Sequence, residues 1–186
     1  MTHNKVAVVA VGGNALIIDK QHEDVASQIS AVEETSKHIA DMIAQGWNVI
    51  ITHGNGPQVG FILRRNELAY PEVHSTPLDV IGADTQGAIG YMIARALNNE
   101  FKKRGIQRDV AAVVTQVVVD RNDPGFKNPT KGIGGFTTQE KAEIFKKEGW
   151  IVKEDAGRGW RRMIASPQPL KIVEFNAIKR LIDSGF

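Results

Sequence analysis

Two glycine-rich turns, each directly after a short apolar segment, constrain the fold of this chain more than any other feature. The first turn, Gly12-Gly13-Asn14-Ala15, follows the apolar run 6–11, and the second, residues 54–60, follows the run 47–52. Short β-branched runs that are apolar on both faces are typical of buried parallel strands. Helical patterns come after both turns, and strands that alternate with helices predict an α/β fold with right-handed crossovers.

Helical periodicity continues this pattern along the chain. It predicts a helix over 25–43 stopped by Gly46, a second helix that has Pro57 in its first turn, and a long helix over 78–104. Glycines inside the long helix, at positions 82, 87 and 90, predict a close approach by a neighbouring element or a ligand. The run 110–119 predicts a third buried strand, and a last helix after Pro169 is expected to carry Ile172, Phe175, Ile178, Leu181 and Ile182.

Turn-forming residues become dense between Asp120 and Gln168, and this predicts a small excursion from the sheet. The expected domain organisation is an α/β core of residues 1–119 and 169–186, with a protruding, lid-like subdomain of residues 120–168. Within the excursion, Thr137 and Glu140 form a capping-box pattern before a helix. Residues 150–154 and 161–166 are expected to pair as a hairpin.

Composition excludes several classes of function. The 186 residues carry a formal net charge of +2, too small to indicate a nucleic-acid or anionic-membrane binder by field alone. The chain has no cysteine, which removes disulfides, thiolate zinc sites and a cysteine nucleophile, and fits a cytosolic location. The five histidines have no metal-ligand spacing, and no apolar run approaches the length of a membrane span, so neither a metal site nor a membrane contact is expected.

Both turns are candidates for binding an anion. Ligands of open α/β sheets bind at the carboxyl ends of the strands, where helix N-termini present free N–H groups. Glycine lets the backbone approach the ligand, although a tight strand-to-helix turn also requires glycine for its own geometry. Neither turn is a Walker P-loop, and the second resembles a dinucleotide fingerprint only weakly. His53, at the mouth of the second turn, is interpreted as a residue that orients the turn rather than as a general base.

Two groups of basic residues have competing interpretations. Lys131 lies in the segment 128–134, which is expected to form a mobile loop, and its amine could reach a phosphate as a point charge or could simply be solvated. Arg158, Arg161 and Arg162 surround Trp160 as in a nucleic-acid patch, but the small net charge favours a solvated hairpin face or closure over an anion.

Taken together, seven segments resemble the carbamate kinase branch of the amino acid kinase family. They are Gly-Gly-Asn-Ala (12–15), His-Gly-Asn-Gly-Pro-Gln-Val-Gly (53–60), Gln-Gly-Ala-Ile-Gly-Tyr (86–91), Thr-Gln-Val-Val-Val-Asp (115–120), Phe-Lys-Asn-Pro-Thr-Lys (126–131), Lys-Glu-Asp-Ala-Gly-Arg-Gly-Trp-Arg (153–161) and Ser-Pro-Gln-Pro (166–169). The resemblance spans nearly the whole chain in order. It implies a three-layer α/β/α fold with a mainly parallel sheet and a protruding subdomain.

The resemblance also implies an activity and roles for individual residues. The activity is reversible phosphoryl transfer between carbamoyl phosphate and ADP, giving ATP and carbamate, in a cytosolic homodimer that uses magnesium and serves arginine catabolism. Gly12, Gly13 and Asn14 would hold the transferred phosphoryl group, and Gly54, Asn55 and Gly56 would hold the carbamate end. Lys131 would lie over the phosphate as the catalytic lysine, which reverses the solvated interpretation.

The chain departs from the family pattern in sequence and in length. The family usually has prolines where Gly132 and Gly135 stand, so the segment that presents Lys131 is expected to be looser. Asp84 stands where the family usually has an uncharged residue and is expected to weaken anion binding nearby. Family members are much longer, so the adenine pocket is expected in a nucleotide-binding half absent from these residues, which alone should not form ATP.

Two other functions stay open from the sequence. One is a non-catalytic protein that keeps the anion-binding turns and a dimer surface. The other is a nucleotide-binding module that uses the turn at Gly54.

Overall fold

The computed structural model describes residues 5–12, 24–147 and 149–186. In chain order its elements are β1 (Lys5–Val11), α1 (Val25–Ala44), β2 (Trp47–His53), α2 (Gln58–Ala69), α3 (Leu78–Arg104), β3 (Val117–Val119), α4 (Pro124–Lys127), β4 (Lys131–Thr137), α5 (Gln139–Lys147), β5 (Val152–Glu154), β6 (Trp160–Ile164), β7 (Pro169–Ile172) and α6 (Phe175–Asp183). These elements fall into two compact units. The first unit holds residues 1–56, 82–115 and 174–186, and the second holds residues 57–81 and 116–173.

A parallel strand pair forms the sheet of the first unit. β1 and β2 pair in register from Lys5 opposite Trp47 to Val11 opposite His53, so the two apolar runs form the predicted parallel strands. The expected burial of β1 on both faces is wrong, since Val6 and Val8 are exposed. α1 begins at the predicted position because the Asp24 carboxylate accepts a hydrogen bond from the Ser27 backbone N–H at 3.0 Å. It ends before Gly46, whose φ of +86° suits glycine.

The core of the first unit lies between this sheet and α3. Its buried members come from β1, α1 and α3: Val11, Val32, Ile39, Ala40, Ile89, Met92, Ile93, Ala96, Leu97 and Phe101. The predicted helix over 78–104 is therefore confirmed. Burial of these side chains, at about 1.5–3 kcal/mol each, is the main stabilising contribution of this unit.

The segment after α3 is held to that helix by polar contacts and close packing. The Gln86 amide oxygen accepts hydrogen bonds from the Thr115 backbone N–H at 2.8 Å and from its hydroxyl at 3.0 Å. A Cβ at Gly90 would come within 3.0 Å of the Ala112 Cβ. The predicted close approach is thus confirmed at Gly90, whereas a Cβ at Gly82 or Gly87 would meet nothing within 4 Å in the described part of the chain.

The prediction of a buried strand over 110–119 was wrong for most of its length. Only Val117–Val119 forms a strand, and it pairs antiparallel with β7 in the second unit. Val114, Val117 and Val118 are exposed rather than buried. A β-branched run becomes a strand only where another strand offers hydrogen bonds, and in the described part of the chain this pairing begins only near the end of the run, where the Gln116 carbonyl accepts from the Val173 N–H and β3 pairs with β7.

A three-stranded antiparallel sheet organises the second unit, in the order β4-β6-β5. The predicted hairpin is confirmed with shorter strands, since β5 pairs with β6 from Val152 opposite Arg162 to Glu154 opposite Trp160. The predicted excursion 120–168 lies wholly within this unit, which also includes α2, β3 and β7.

Three local expectations in this unit need correction. Thr138 rather than Thr137 caps α5, because Thr137 is still in β4 opposite Trp160. Ile172 lies in β7 and not in the last helix, which begins only at Phe175. Pro57 is the N-cap of α2 and precedes its first turn.

Candidate functional site

The described parts of the two glycine-rich turns lie side by side at the carboxyl ends of β1 and β2. The last residues of the two strands, Val11 and His53, are paired. Gly12 and Gly54 therefore come directly after neighbouring strands. The Gly54 backbone N–H donates a hydrogen bond to the Val11 carbonyl at 3.4 Å. The structure therefore brings together Gly12 and Gly54, the first residues of the two predicted anion-binding turns.

Both turns are open to solvent where they are described. Gly12, Gly54, Asn55 and Gly56 are exposed, and a Cβ at Gly12 or Gly54 would meet no described atom within 4 Å. Gly56 has φ of +55°, a conformation that favours glycine. The predicted phosphoryl-binding residues Gly13 and Asn14 lie outside the described residues.

His53 contacts the backbone of the second turn. Its Nδ1 lies 3.1 Å from the Gly54 carbonyl oxygen, within hydrogen-bonding distance if that nitrogen carries the proton. This geometry fits the predicted orienting role, because it ties the ring to the backbone of the turn.

Lys131 is the first residue of β4 and does not lie in a loop as expected. It pairs with Ile164 of β6, which fixes its backbone. Its side chain is exposed, and within the described ranges its amine has neither a hydrogen bond nor an ion pair. A fixed backbone with an unpaired amine suits a lysine that contacts a ligand phosphate, since no protein partner competes for the charge.

α2 packs directly on the strand that Lys131 begins. A Cβ at Gly60, in the first turn of α2, would lie 3.2 Å from the Gly134 Cα. The helix that starts two residues after Gly56 and the strand that starts at Lys131 therefore meet at two glycines. This contact lies entirely within the second unit.

The arginines near Trp160 are occupied by contacts within the protein. The Arg158 guanidinium donates to the Asp155 carboxylate at 2.8 Å and lowers the pKa of that carboxyl. Arg162 lies 4.1 Å from the centroid of the Trp150 ring, and burial lowers the pKa of its guanidinium. These contacts fit the solvated-hairpin interpretation better than a nucleic-acid surface.

Two polar side chains that the sequence did not indicate, Lys153 and Asp123, fix the backbone before Lys131 and at the two ends of the excursion. The Lys153 amine donates to the Asn128 amide oxygen at 3.0 Å and to the Pro129 carbonyl at 2.9 Å. The Asp123 carboxylate accepts hydrogen bonds from the Gly125 and Gln168 backbone N–H groups, which lower its pKa. Asp123-Pro124-Gly125 was recognisable as a turn, but no sequence signal indicated that its carboxylate reaches Gln168.

With this geometry established, comparison with known proteins assigns the family. A model of the amino acid kinase family matches residues 5–186. The chain belongs to the amino acid kinase family. The resemblance drawn from the seven segments is confirmed.

Relatives within this family are carbamate kinases and carbamate kinase-like proteins. A carbamate kinase of Clostridium perfringens is 50% identical over 183 residues, which cover 96% of this chain and 58% of that protein. A carbamate kinase-like protein of Escherichia coli is 51% identical over 185 residues, or 98% of this chain and 58% of the relative. The chain therefore spans less than two thirds of the length of these relatives.

A solved structure confirms the predicted α/β fold class. Carbamate kinase from Giardia lamblia bound to AMP-PNP matches with a TM-score of 0.90 at 42% identity, covering 100% of this chain and 59% of that one. The three-layer α/β/α arrangement expected from the resemblance is that of this amino acid kinase fold, although β1 and β2 are the one parallel pair among the described strands. No helix in the described ranges is both long and apolar enough to cross a bilayer.

Proposed function

We propose that this chain is the substrate-binding portion of a carbamate kinase, which transfers a phosphoryl group reversibly between carbamoyl phosphate and ADP. The observation that carries the proposal is the juxtaposition of Gly12 and Gly54 at the ends of two paired parallel strands. Relatives about half identical to the chain, named carbamate kinases, support this particular chemistry. The products are ATP and carbamate in one direction, and carbamoyl phosphate and ADP in the other.

The proposed roles follow from what phosphoryl transfer requires. The transition state needs the donor and acceptor in line and positive charge spread over the transferred group. Backbone N–H groups of Gly12, Gly13 and Asn14 are proposed to bind that group, and Gly54, Asn55 and Gly56 to bind the carbamate end. The Lys131 amine is proposed to neutralise charge that develops on the phosphoryl oxygens.

Nucleotide and magnesium have a more limited place in the proposal. ATP and ADP act as substrates, and the adenine-binding residues are assigned to the part of the relatives that this chain does not cover. The described residues contain no group of three or more His, Asp or Glu side chains that could hold a metal ion. We therefore assign no protein ligand to magnesium, which phosphate oxygens of the nucleotide bind readily.

The wider biological setting is proposed from the same resemblance. It consists of a homodimer in the cytoplasm, a place in arginine and carbamoyl phosphate catabolism, a core of residues 1–119 and 169–186, and a lid-like role for residues 120–168. No nucleic acid or membrane partner is proposed. The small net charge supports this limited set of partners.

A second candidate is a non-catalytic protein that binds anions and dimerises. The relative from Escherichia coli, named only carbamate kinase-like, favours keeping this candidate. Gly132, Gly135 and Asp84 also depart from the pattern typical of carbamate kinases. In this case the turns would bind phosphate without turnover.

A coupled assay of ATP formation from carbamoyl phosphate and ADP separates the two candidates when applied to the full-length protein. We expect turnover, and we expect Lys131→Ala to lower kcat/KM by roughly tenfold or more. Lys131→Arg should restore little, because the planar guanidinium differs in shape and reach. Lys141→Ala is the matched control, since Lys141 is an exposed lysine on α5 of the same unit.

Two results would count against the proposal. Absence of turnover in a folded, phosphate-binding protein would favour the non-catalytic candidate. Equal kcat/KM for Lys131→Ala and Lys141→Ala would remove Lys131 from the mechanism.

A further inference from the structure

An irregularity in the sheet of the second unit lies within the strand that begins at Lys131. β4 pairs regularly with β6 from Lys131 opposite Ile164 to Ile133 opposite Arg162, and pairing resumes at Thr137 opposite Trp160. Three residues of β4, 134–136, therefore face a single residue of β6, Arg161. Such a bulge leaves backbone groups unpaired and changes the direction of the strand.

The Arg161 side chain closes this bulge. Its Nε donates a hydrogen bond to the Gly134 carbonyl at 3.1 Å, which replaces a bond missing from the ladder. Its guanidinium lies 5.4 Å from the centroid of the Phe136 ring and 3.6 Å from the Asp155 carboxylate. Three of its contacts are thus made at or beside the bulge, and a flexible lysine could not reproduce the planar geometry.

Gly132 provides the room for this side chain. A Cβ at position 132 would lie 3.0 Å from the Arg161 Cδ and 3.2 Å from its Nε. The absence of a side chain at Gly132, expected from the sequence to loosen the segment, instead lets the guanidinium lie across the strand. Arg161 thereby restrains the backbone of β4, which its glycines (132, 134 and 135) would otherwise leave flexible.

Lys153 holds the other end of the same segment from the same face of the sheet. Lys153 and Arg161 are paired directly across β5 and β6, so their side chains lie on one face. Two like charges in this position repel each other. Their side chains are instead directed to backbone carbonyl oxygens on opposite sides of Lys131. Lys153 donates to Pro129, and Arg161 donates to Gly134.

We propose that Arg161 is a positioning residue, which closes the β4 bulge and so fixes the direction in which the Lys131 side chain projects from the strand. Its catalytic consequence rests on the role of Lys131 in the proposed function. Its structural consequence, restraint of β4, does not depend on that role. The two consequences are tested separately.

The structural test is cleavage by the lysine-specific protease Lys-C in the 186-residue chain. Cleavage after Lys131 requires β4 to open, and its rate follows the population of the open form. Arg161→Ala should raise this rate by roughly tenfold relative to cleavage after Lys102 in α3, because a charge-assisted hydrogen bond is lost. Lys102 lies in the first unit and reports general destabilisation.

Arg158→Ala is the matched control for this test. Arg158 shares the Asp155 carboxylate and the Phe136 ring with Arg161, but it has no contact with the Gly134 carbonyl. It should leave the Lys131 cleavage rate within about twofold of the unsubstituted chain, since an exposed ion pair contributes little. Equal rates for Arg161→Ala and Arg158→Ala, or equal acceleration at Lys131 and Lys102, would overturn the proposal.

The catalytic test is a double-mutant cycle in the full-length protein. Arg161→Ala should lower kcat by roughly tenfold while KM for carbamoyl phosphate changes little, because misalignment affects the transition state most. Added to Lys131→Ala, it should lower kcat no further. An equal loss in both backgrounds would show that Arg161 does not act through Lys131. If Lys131→Ala alone retains full activity, the proposed function of Lys131 fails, while the protease result still decides whether Arg161 restrains β4.

Discussion

Replacement of Gly60 by alanine tests the contact between the helix after the second turn and the strand that begins at Lys131. The new Cβ would lie 3.2 Å from the Gly134 Cα and 3.6 Å from its backbone nitrogen. The distance to the Cα is shorter than the optimal carbon separation of about 3.5–4.0 Å, whereas the distance to the nitrogen is not. The neighbouring atoms belong to the backbone of a glycine with φ of +69°, so neither element can relieve the contact by a side-chain rotation.

The expected change in the free energy of unfolding is the difference between two effects. Alanine in a helix is favoured over glycine by up to about 1 kcal/mol, and overpacking costs about 1–3 kcal/mol. Gly60→Ala should therefore lower the free energy of unfolding by about 1 kcal/mol. Gly87→Ala in α3, where a Cβ meets no described atom within 4 Å, should raise it by about 0.5–1 kcal/mol.

The assay is thermal unfolding of the 186-residue chain followed by far-UV circular dichroism. For a chain of this size, 1 kcal/mol shifts Tm by about 2–4 °C, so the two variants, about 1.5–2 kcal/mol apart, should differ by about 3–8 °C. Because both substitutions gain the same helix propensity, this difference isolates the overpacking. Equal stabilisation by Gly60→Ala and Gly87→Ala would refute the close packing of α2 on β4.

Two further predictions concern stability. Asp123→Asn should lower Tm at pH 7, because backbone donors stabilise the carboxylate and depress the pKa of Asp123 in the folded state. The difference in Tm from the unsubstituted chain should be constant above the unfolded pKa of about 3.9 and shrink as pH falls through the lower folded value. Melting curves taken between pH 7 and pH 2.5 measure it. A difference that does not change with pH would contradict this charge-based account. Ile89→Ala should lower the free energy of unfolding by about 2–5 kcal/mol in urea titrations because Ile89 is fully buried, and Ile144→Ala, at a 55% exposed position, should cost much less; equal costs would contradict the assigned core.

Local patterns predicted the first unit well, because its elements depend on contacts that sequence periodicity reports. Val11 and Ile39 are buried where the apolar periods place them, and Gly46 ends α1 as its position predicts. The paired glycine turns were also predictable, since neighbouring parallel strands end at the same edge. In contrast, residues 110–116 resemble a strand in composition, but pairing depends on a neighbour that composition does not report.

The environment of Lys131 was less predictable for a different physical reason. Gly132 indicated flexibility when considered alone, yet the Arg161 guanidinium occupies the space that its missing side chain leaves. Such compensation depends on which residue faces a bulge across the sheet. Gly134 and Gly135 are typical of a bulge in β4, but the register of β4 and β6 decides which residue faces it, and neither strand alone indicates that this residue is Arg161.

The most direct test of the central claim is an NMR titration of the ¹⁵N-labelled 186-residue chain with carbamoyl phosphate, with inorganic phosphate as a second ligand. The account predicts that the largest amide shifts occur at Gly12, Gly54 and Gly56, accompanied by a shift of the Lys131 amine signals, and that chloride at equal ionic strength does not reproduce them. Shifts confined to the arginines around Trp160, with the two glycine turns unchanged at saturating ligand, would contradict the account.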